Sequence, residues 1–152
     1  MRWTPHVTVA TIIEQDNKFL CVEEQSLSLQ QLVINQPAGH VEAKETFIEA
    51  AIRETQEETG WSVTPTALIG IYVYTAPANG ITYHRYCFAA QADSHDPDQP
   101  LDTGIERAIW LSREELEMHK ERLRSPMVTR CIDDYLAGNR FPLSVIVEAN
   151  QQ

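Results

Sequence analysis

"GHVEAKETFIEAAIRETQEETGW", residues Gly39–Trp61, decides how the chain is read. Its centre carries a helical period from about Thr46 to Thr59, ended by Gly60 as a C-terminal cap. At about 100° per residue, Glu54, Glu57 and Glu58 fall within about 100° of one another on one face. Ile48, Ile52 and Thr55, with Ala51 at the edge, form an adjacent face suited to packing on a sheet, while Glu49 and Gln56 point to water. Carboxylates at 4 Å repel by about 1 kcal/mol in water and about 4 kcal/mol at an effective dielectric of 20. No lysine or arginine follows at the spacing that would offset all three. A solvated acidic face is the commonest meaning of such a pattern. The alternative is a hard divalent cation, magnesium or manganese, whose preference for oxygen ligands the triad meets.

Outward from this stretch the chain alternates strands and helices. His6–Ile13 and Phe19–Glu23 read as strands joined at the turn-forming "EQDN". "SLSLQQLVINQPAG" runs as an irregular arm into Pro37 and Gly39. "ALIGIYVYT" and "ITYHRYCFAA" read as paired strands around "APANG", and "DSHDPDQPLDTG" as an exposed loop of the length that often serves as a lid or specificity loop. "ERAIWL" is a short strand, and Ser112 with Glu115 makes a capping box for a helix to about Leu123. Ser125-Pro126 opens a further helix that Gly138 stops. The tail "FPLSVIVEAN" holds a short apolar run with no assigned role.

At 152 residues the chain fits one domain, taken here as 1–152, with a real hydrophobic core. No apolar run approaches the roughly 18 residues of a membrane span, and "VTVATII" reads as a strand rather than a signal peptide. The net charge of −10 withholds the cationic footprint a nucleic acid backbone needs. A phosphorylated small molecule remains acceptable where a bound cation reverses the local field. Cys21, Cys87 and Cys131 are widely spaced and odd in number, as expected of reduced core thiols in a cytoplasmic protein.

Gly39, Glu45, Arg53, Glu54, Glu57, Glu58 and Gly60 fill all seven fixed positions of the pattern G-x5-E-x7-R-E-U-x-E-E-x-G-U, where U is a bulky aliphatic residue. At ordinary residue usage, that agreement arises by chance less than once in about a million such chains. The stretch resembles the Nudix box, with Thr55 and Trp61 departing from it at the two U positions. "PHVTVA", "NQPAGHVEAKET" and "LRSPMVTRCIDDYLAGNRFPL" extend the resemblance toward the bacterial NudJ-type phosphatases of that superfamily, with residues 62–120 matching loosely.

The resemblance implies an α/β (α+β) Nudix fold, a mixed β-sheet sandwiched between helices, with a catalytic loop-helix at 39–61. It implies hydrolysis of phosphoanhydrides with magnesium, or manganese in its place, on Glu54, Glu57, Glu58 and the Gly39 carbonyl. Arg53 is expected to hold the glutamates and Glu45 to fix the loop-helix geometry through it. The subgroup implies nucleoside tri- and diphosphates and hydroxymethylpyrimidine pyrophosphate as substrates, and leans toward a monomer. Other Nudix substrates stay open: oxidised nucleotides, sugar-nucleotides and dinucleoside polyphosphates, as does a non-catalytic nucleotide-binding module. The catalytic base is either Glu58 or Glu106, the latter placed just after the long loop. Arg85, in an otherwise apolar strand, is a candidate for a terminal phosphate, and on alternating faces only one of His84 and Arg85 can point into the site. Trp3, Tyr72 and Tyr74 are candidates for stacking on a base. Arg124 is a further candidate contact, and Ser125 a helix cap.

Overall fold

The structure is a computed structural model describing residues 1–27 and 29–150; Ser28, part of the expected arm, and the last two residues lie outside the described residues. The described residues form two four-stranded sheets and three α-helices, the mixed α/β (α+β) class expected. One sheet runs β5(Ala38–His40)-β1(His6–Ile12)-β7(Thr82–His95)-β6(Trp61–Thr75). Only its β1–β7 pair is parallel. In the other, β3(Lys18–Ser26) pairs antiparallel with β2(Glu14–Gln15), β4(Gln31–Asn35) and β8(Ile105–Leu111).

Both faces of the first sheet are covered, which is why β1 is buried continuously from Val9 to Ile12 instead of alternating. Val9, Leu68 and Phe88 face α1(Phe47–Thr59) and its small residues Ala50 and Ala51. Ala10, Ile69 and Cys87 join Phe19, Ile34, Leu116 and Ile132 from the second sheet, α2(Arg113–Met118) and α3(Met127–Leu136). Cys21, Cys87 and Cys131 are all free and buried. Among the described residues, no helix is long and apolar enough to cross a membrane.

Local chemistry explains the ends of α1. Thr46 and Glu49 exchange side-chain and backbone hydrogen bonds as a capping box, and Gly60 takes φ 75° to close the helix. A Cβ there would press on the Asp96 carbonyl, besides meeting the left-handed penalty. Ser112 and Glu115 form the second capping box as expected.

Several expected boundaries are corrected. The irregular arm contains β4 and β5. Strands β6 and β7 start earlier or run later than read, so the exposed loop begins only after His95; β6 keeps its pairing through bulges beside Pro65 and Gly70. The helix after Ser112 ends at Met118 and gives way to a 3-10 turn, Lys120–Arg122. Ile52 is 37% exposed, because α1 approaches the sheet through Ala50, Ala51 and Thr55, where small side chains allow close contact. Thr55 fits this buried face since its hydroxyl donates to the Ala51 carbonyl at 2.8 Å. Trp61, the other departure from the motif, opens β6 and stacks on His95 with ring centroids 4.6 Å apart.

Candidate active site

Arg53 organises the acidic face. Its Nε and Nη2 donate to the two Glu45 carboxylate oxygens at 2.6 and 2.9 Å, a bidentate pair that joins α1 to the loop before it. Its Nη1 donates to Glu54 Oε1 at 2.8 Å and to Glu57 Oε2 at 3.2 Å, and Nη2 also donates to the His40 carbonyl at 3.1 Å. One guanidinium therefore binds the helix, the loop and β5 together. These bonds hold the Glu45 carboxyl below the usual carboxylate range and raise Arg53 above its own. Glu54 goes the other way, since burial raises its pKa more than Arg53 lowers it.

Glu58 is turned inward and only 6% exposed, accepting from the Ala38 N–H at 2.9 Å. Burial pushes its pKa up to about 9, with the charges of Glu24, Glu54 and Asp102 adding to the shift against the Ala38 hydrogen bond. Gly39 follows at once on β5, and a Cβ there would overlap the Glu54 carboxyl. Glycine at 39 is thus required by close approach of a carboxylate. We predict that Gly39→Ala folds but displaces that carboxylate and lowers kcat by about 100-fold, roughly 2.7 kcal/mol. Steady-state kinetics beside a melting curve checks this; wild-type kcat in a folded variant contradicts it.

Glu54, Glu57 and Glu58 project from one helix segment beside Gly39, and an all-oxygen set of this kind fits a hard divalent cation. They do not form a ready-made cage. Among the described residues no three acidic, histidine or cysteine groups converge as one, since Glu58 is drawn to Ala38 and Glu54 and Glu57 to Arg53.

The raised pKa of Glu58 has a stability consequence of definite sign. The native state keeps a proton that the unfolded chain releases above the ordinary carboxylate range, so rising pH up to about 9 favours unfolding. In chelator, the melting temperature should fall across that window, and Glu58→Gln should flatten the decline by removing the ionisation. Equal slopes in variant and wild type would overturn this assignment.

Two carboxylates near the triad escaped the sequence reading. Glu24 lies on β3 and Asp102 in the loop before β8, and the charge of each bears on Glu58. Asp102 is placed by its N–H, which donates to the Glu57 carbonyl at 2.9 Å, and the same loop is held by Gln99 donating to the Gln56 carbonyl at 2.6 Å. No spacing in the sequence marks either residue; tertiary folding alone brings them in. Glu106 instead is exposed on β8, beside the bulge opposite Glu23 and Glu24, and is not among the charges acting most on Glu54 or Glu58.

A cavity of about 260 Å³ opens beside Ala38 and Gly39, and Arg85, Arg124, Ser125 and Tyr74 also line it. Alternation along β7 sends Arg85 into it and His84 to the other face, where His84 meets Trp3 with ring centroids 6.0 Å apart. Trp3 is 65% exposed on that far side, so neither aromatic ring joins the cavity. Tyr72 donates to Asp134 at 2.7 Å and packs against the core, while Tyr74 reaches the cavity wall. Arg124 donates to Glu24 at 2.8 Å; the N-cap of α3 is Pro126 rather than Ser125, whose hydroxyl still accepts from the Met127 N–H at 3.2 Å.

Comparison with known proteins adds an independent line. The NUDIX domain family model matches residues 4–130. Phosphatase NudJ of Escherichia coli (strain K12) is 42% identical over 146 residues, 96% of this chain and 93% of that protein. A NUDIX hydrolase from Nitrosomonas europaea superposes with a TM-score of 0.94 at 47% identity, covering 98% of this chain and all of the other. A UDP-X diphosphatase superposes at 0.73 over 93% of this chain and 68% of the other, and at 17% identity it shares the fold alone.

Proposed function

The chain belongs to the Nudix family and is a hydrolase of phosphorus-containing anhydrides, and we propose that it acts as a magnesium-dependent phosphatase of the NudJ kind. Its substrates in this reading are nucleoside tri- and diphosphates and hydroxymethylpyrimidine pyrophosphate, with manganese able to replace magnesium. The observation that carries the reading is the Arg53 network, which ties Glu45, Glu54 and Glu57 to β5 beside a cavity. Similarity to Phosphatase NudJ over nearly the whole chain supports the choice of subgroup.

Phosphoryl transfer from an anhydride leaves the protein mainly positioning and charge neutralisation to perform. Glu54, Glu57, Glu58 and the Gly39 carbonyl would hold the metal. Bound there, the cation supplies neutralisation of the diphosphate and a lowered pKa for the attacking water. Arg53 and Glu45 tie the helix that carries the carboxylates to the loop before it and to β5, which places the acidic face beside Gly39. Glu58 and Glu106 are the two base candidates, Glu58 buried and bonded to the Ala38 N–H, Glu106 exposed on β8. A cavity of about 260 Å³ falls just below the usual ligand-pocket range of about 300–1,000 Å³, which favours a single ring with its phosphates over a dinucleotide. We further propose that the protein works in the cytoplasm as a monomer, as one catalytic domain over 1–152, without nucleic acid or membrane partners; its net charge of −10 supports the absence of a nucleic acid partner.

The test is a substrate panel with and without magnesium: nucleoside tri- and diphosphates, hydroxymethylpyrimidine pyrophosphate, a sugar-nucleotide and a dinucleoside polyphosphate. Products are resolved as orthophosphate or pyrophosphate. Orthophosphate release from the first groups, abolished by chelator, is the expected result. Preference for the sugar-nucleotide or the dinucleotide would move the protein to another Nudix activity, and binding without turnover would make it a sensor.

A further inference from the structure

Arg85 is 3% exposed, yet its one described side-chain hydrogen bond goes from Nη2 to the neutral Asn35 Oδ1, at 2.9 Å. Arg53, Arg107, Arg113, Arg122, Arg124 and Arg130 each reach a carboxylate; Arg85 reaches none among the described residues. A guanidinium carries five N–H donors, and taking its charge out of water without a counterion is costly by several kcal/mol. The nearest negative group in its network is Glu24, but that carboxylate serves Arg124 at 2.8 Å and the Asn35 Nδ2 at 3.4 Å. Asn35 thus orients the buried guanidinium from one end of its amide while the other end is held by Glu24. An aspartate at 35 would quench the Arg85 charge, at the cost of the amide bond to Glu24 and of facing that carboxylate. The neutral amide leaves that charge available.

The charge is available to the cavity. Arg85 lines it together with Arg124 and with Ser125 and Met127, the residues that open α3. The α3 N-terminus adds only its dipole here, since the Met127 and Val128 N–H groups already donate to Ser125; the buried, unneutralised guanidinium supplies the donors. Across the sheet, Thr8 pairs with both Arg85 and His40, so β7 and β5 stand two strand spacings apart, about 10 Å. Gly39 and the glutamates lie at the β5 side, and the arginine at the other. Cys131 also feels the Arg85 charge but does not line the cavity.

We infer that Arg85, mounted on Asn35, is the specificity-determining residue of the site, an anchor for a free terminal phosphate at the end of the cavity away from the glutamates. The inference rests on the hydrolase reading above and assigns recognition within the same site. An unsubstituted terminal phosphate offers three oxygens and up to two charges to the guanidinium fork. A phosphate esterified to a sugar offers fewer free oxygens, carries one charge and must house its substituent in a small space. Arg85 therefore selects for the former.

The test compares wild type with Arg85→Gln and Asn35→Asp. Calorimetry with pyrophosphate alone, without metal, is run beside kcat/KM for a nucleoside diphosphate and for a sugar-nucleotide. Wild type should bind pyrophosphate. Both variants should bind at least about 10-fold more weakly and lose about 100-fold in kcat/KM on the nucleoside diphosphate, with a clearly smaller loss on the sugar-nucleotide and magnesium uptake little changed. Asn35→Asp keeps the guanidinium and adds its counterion, so its loss identifies the unpaired charge as the cause even if Arg85→Gln fails to fold. Retained pyrophosphate affinity in Asn35→Asp, or none in wild type, overturns the inference. Should wild type bind pyrophosphate but hydrolyse nothing in the panel, the phosphatase reading fails while the anchor stands.

Discussion

Glu57→Gln should lower kcat by about a thousandfold at saturating magnesium, roughly 4 kcal/mol of transition-state stabilisation. The substitution keeps size and shape and removes one charge. The Glu57 side chain is 41% exposed and accepts one bond from Arg53 at 3.2 Å, so little of the fold depends on it. Stability should change by no more than about 0.5 kcal/mol, which for a domain of this size moves the melting temperature by about 2 °C. Large loss of turnover with an unmoved melting curve is the signature of a ligand rather than a structural residue. A near-wild-type kcat in this variant, and in Glu54→Gln and Glu58→Gln beside it, would leave the carboxylates without a catalytic part.

Arg53→Ala should behave differently, losing both activity and stability. The change removes a bidentate pair to Glu45, single bonds to Glu54 and Glu57, and the bond to the His40 carbonyl. Glu45 and Glu54 side chains are each only 13% exposed, so they would remain as largely buried charges without a cation, Glu45 keeping the Glu42 N–H at 3.0 Å. Breaking such a pair costs about 3 kcal/mol, equivalent to a fall of about 6–12 °C in melting temperature. Displacing Glu54 and Glu57 should also cost about 100-fold or more in kcat/KM. Arg53→Lys should not restore either property, since an ammonium cannot bridge three carboxylates with a planar fork. Thermal melts and kinetics on both variants check this, and full recovery in Arg53→Lys would refute the bridging role.

Much of this site was legible because its spacing is local. Thr46, Arg53, the three glutamates and Gly60 lie within one helix and its caps, where period and turn chemistry translate directly into position. Alternation on β7 limited the candidates at 84 and 85 to one, and the structure shows which. What stayed hidden depends on packing between distant segments. Strands β4 and β5 are short, and β5 contains the glycine that the Glu54 carboxyl requires, so neither shows a strand pattern. Strand β6 passes through Pro65 and Gly70, residues that read as breaks yet sit at bulges on an edge strand. The helical period puts Ile52 on the buried face, but close approach through two alanines leaves it outside. Glu24, Asp102 and Asn35 come to the site from β3, a loop and β4, and only the assembled sheets give them meaning.

The account stands on divalent cations binding the acidic face of α1. Isothermal titration of the purified, chelator-treated protein with Mg²⁺ tests that most directly, with Mn²⁺ as a second titrant. Saturable uptake in wild type, lost in the Glu54→Gln/Glu57→Gln/Glu58→Gln variant, is the predicted result. Absence of uptake from wild type with either ion, or equal uptake by the triple variant, would contradict it.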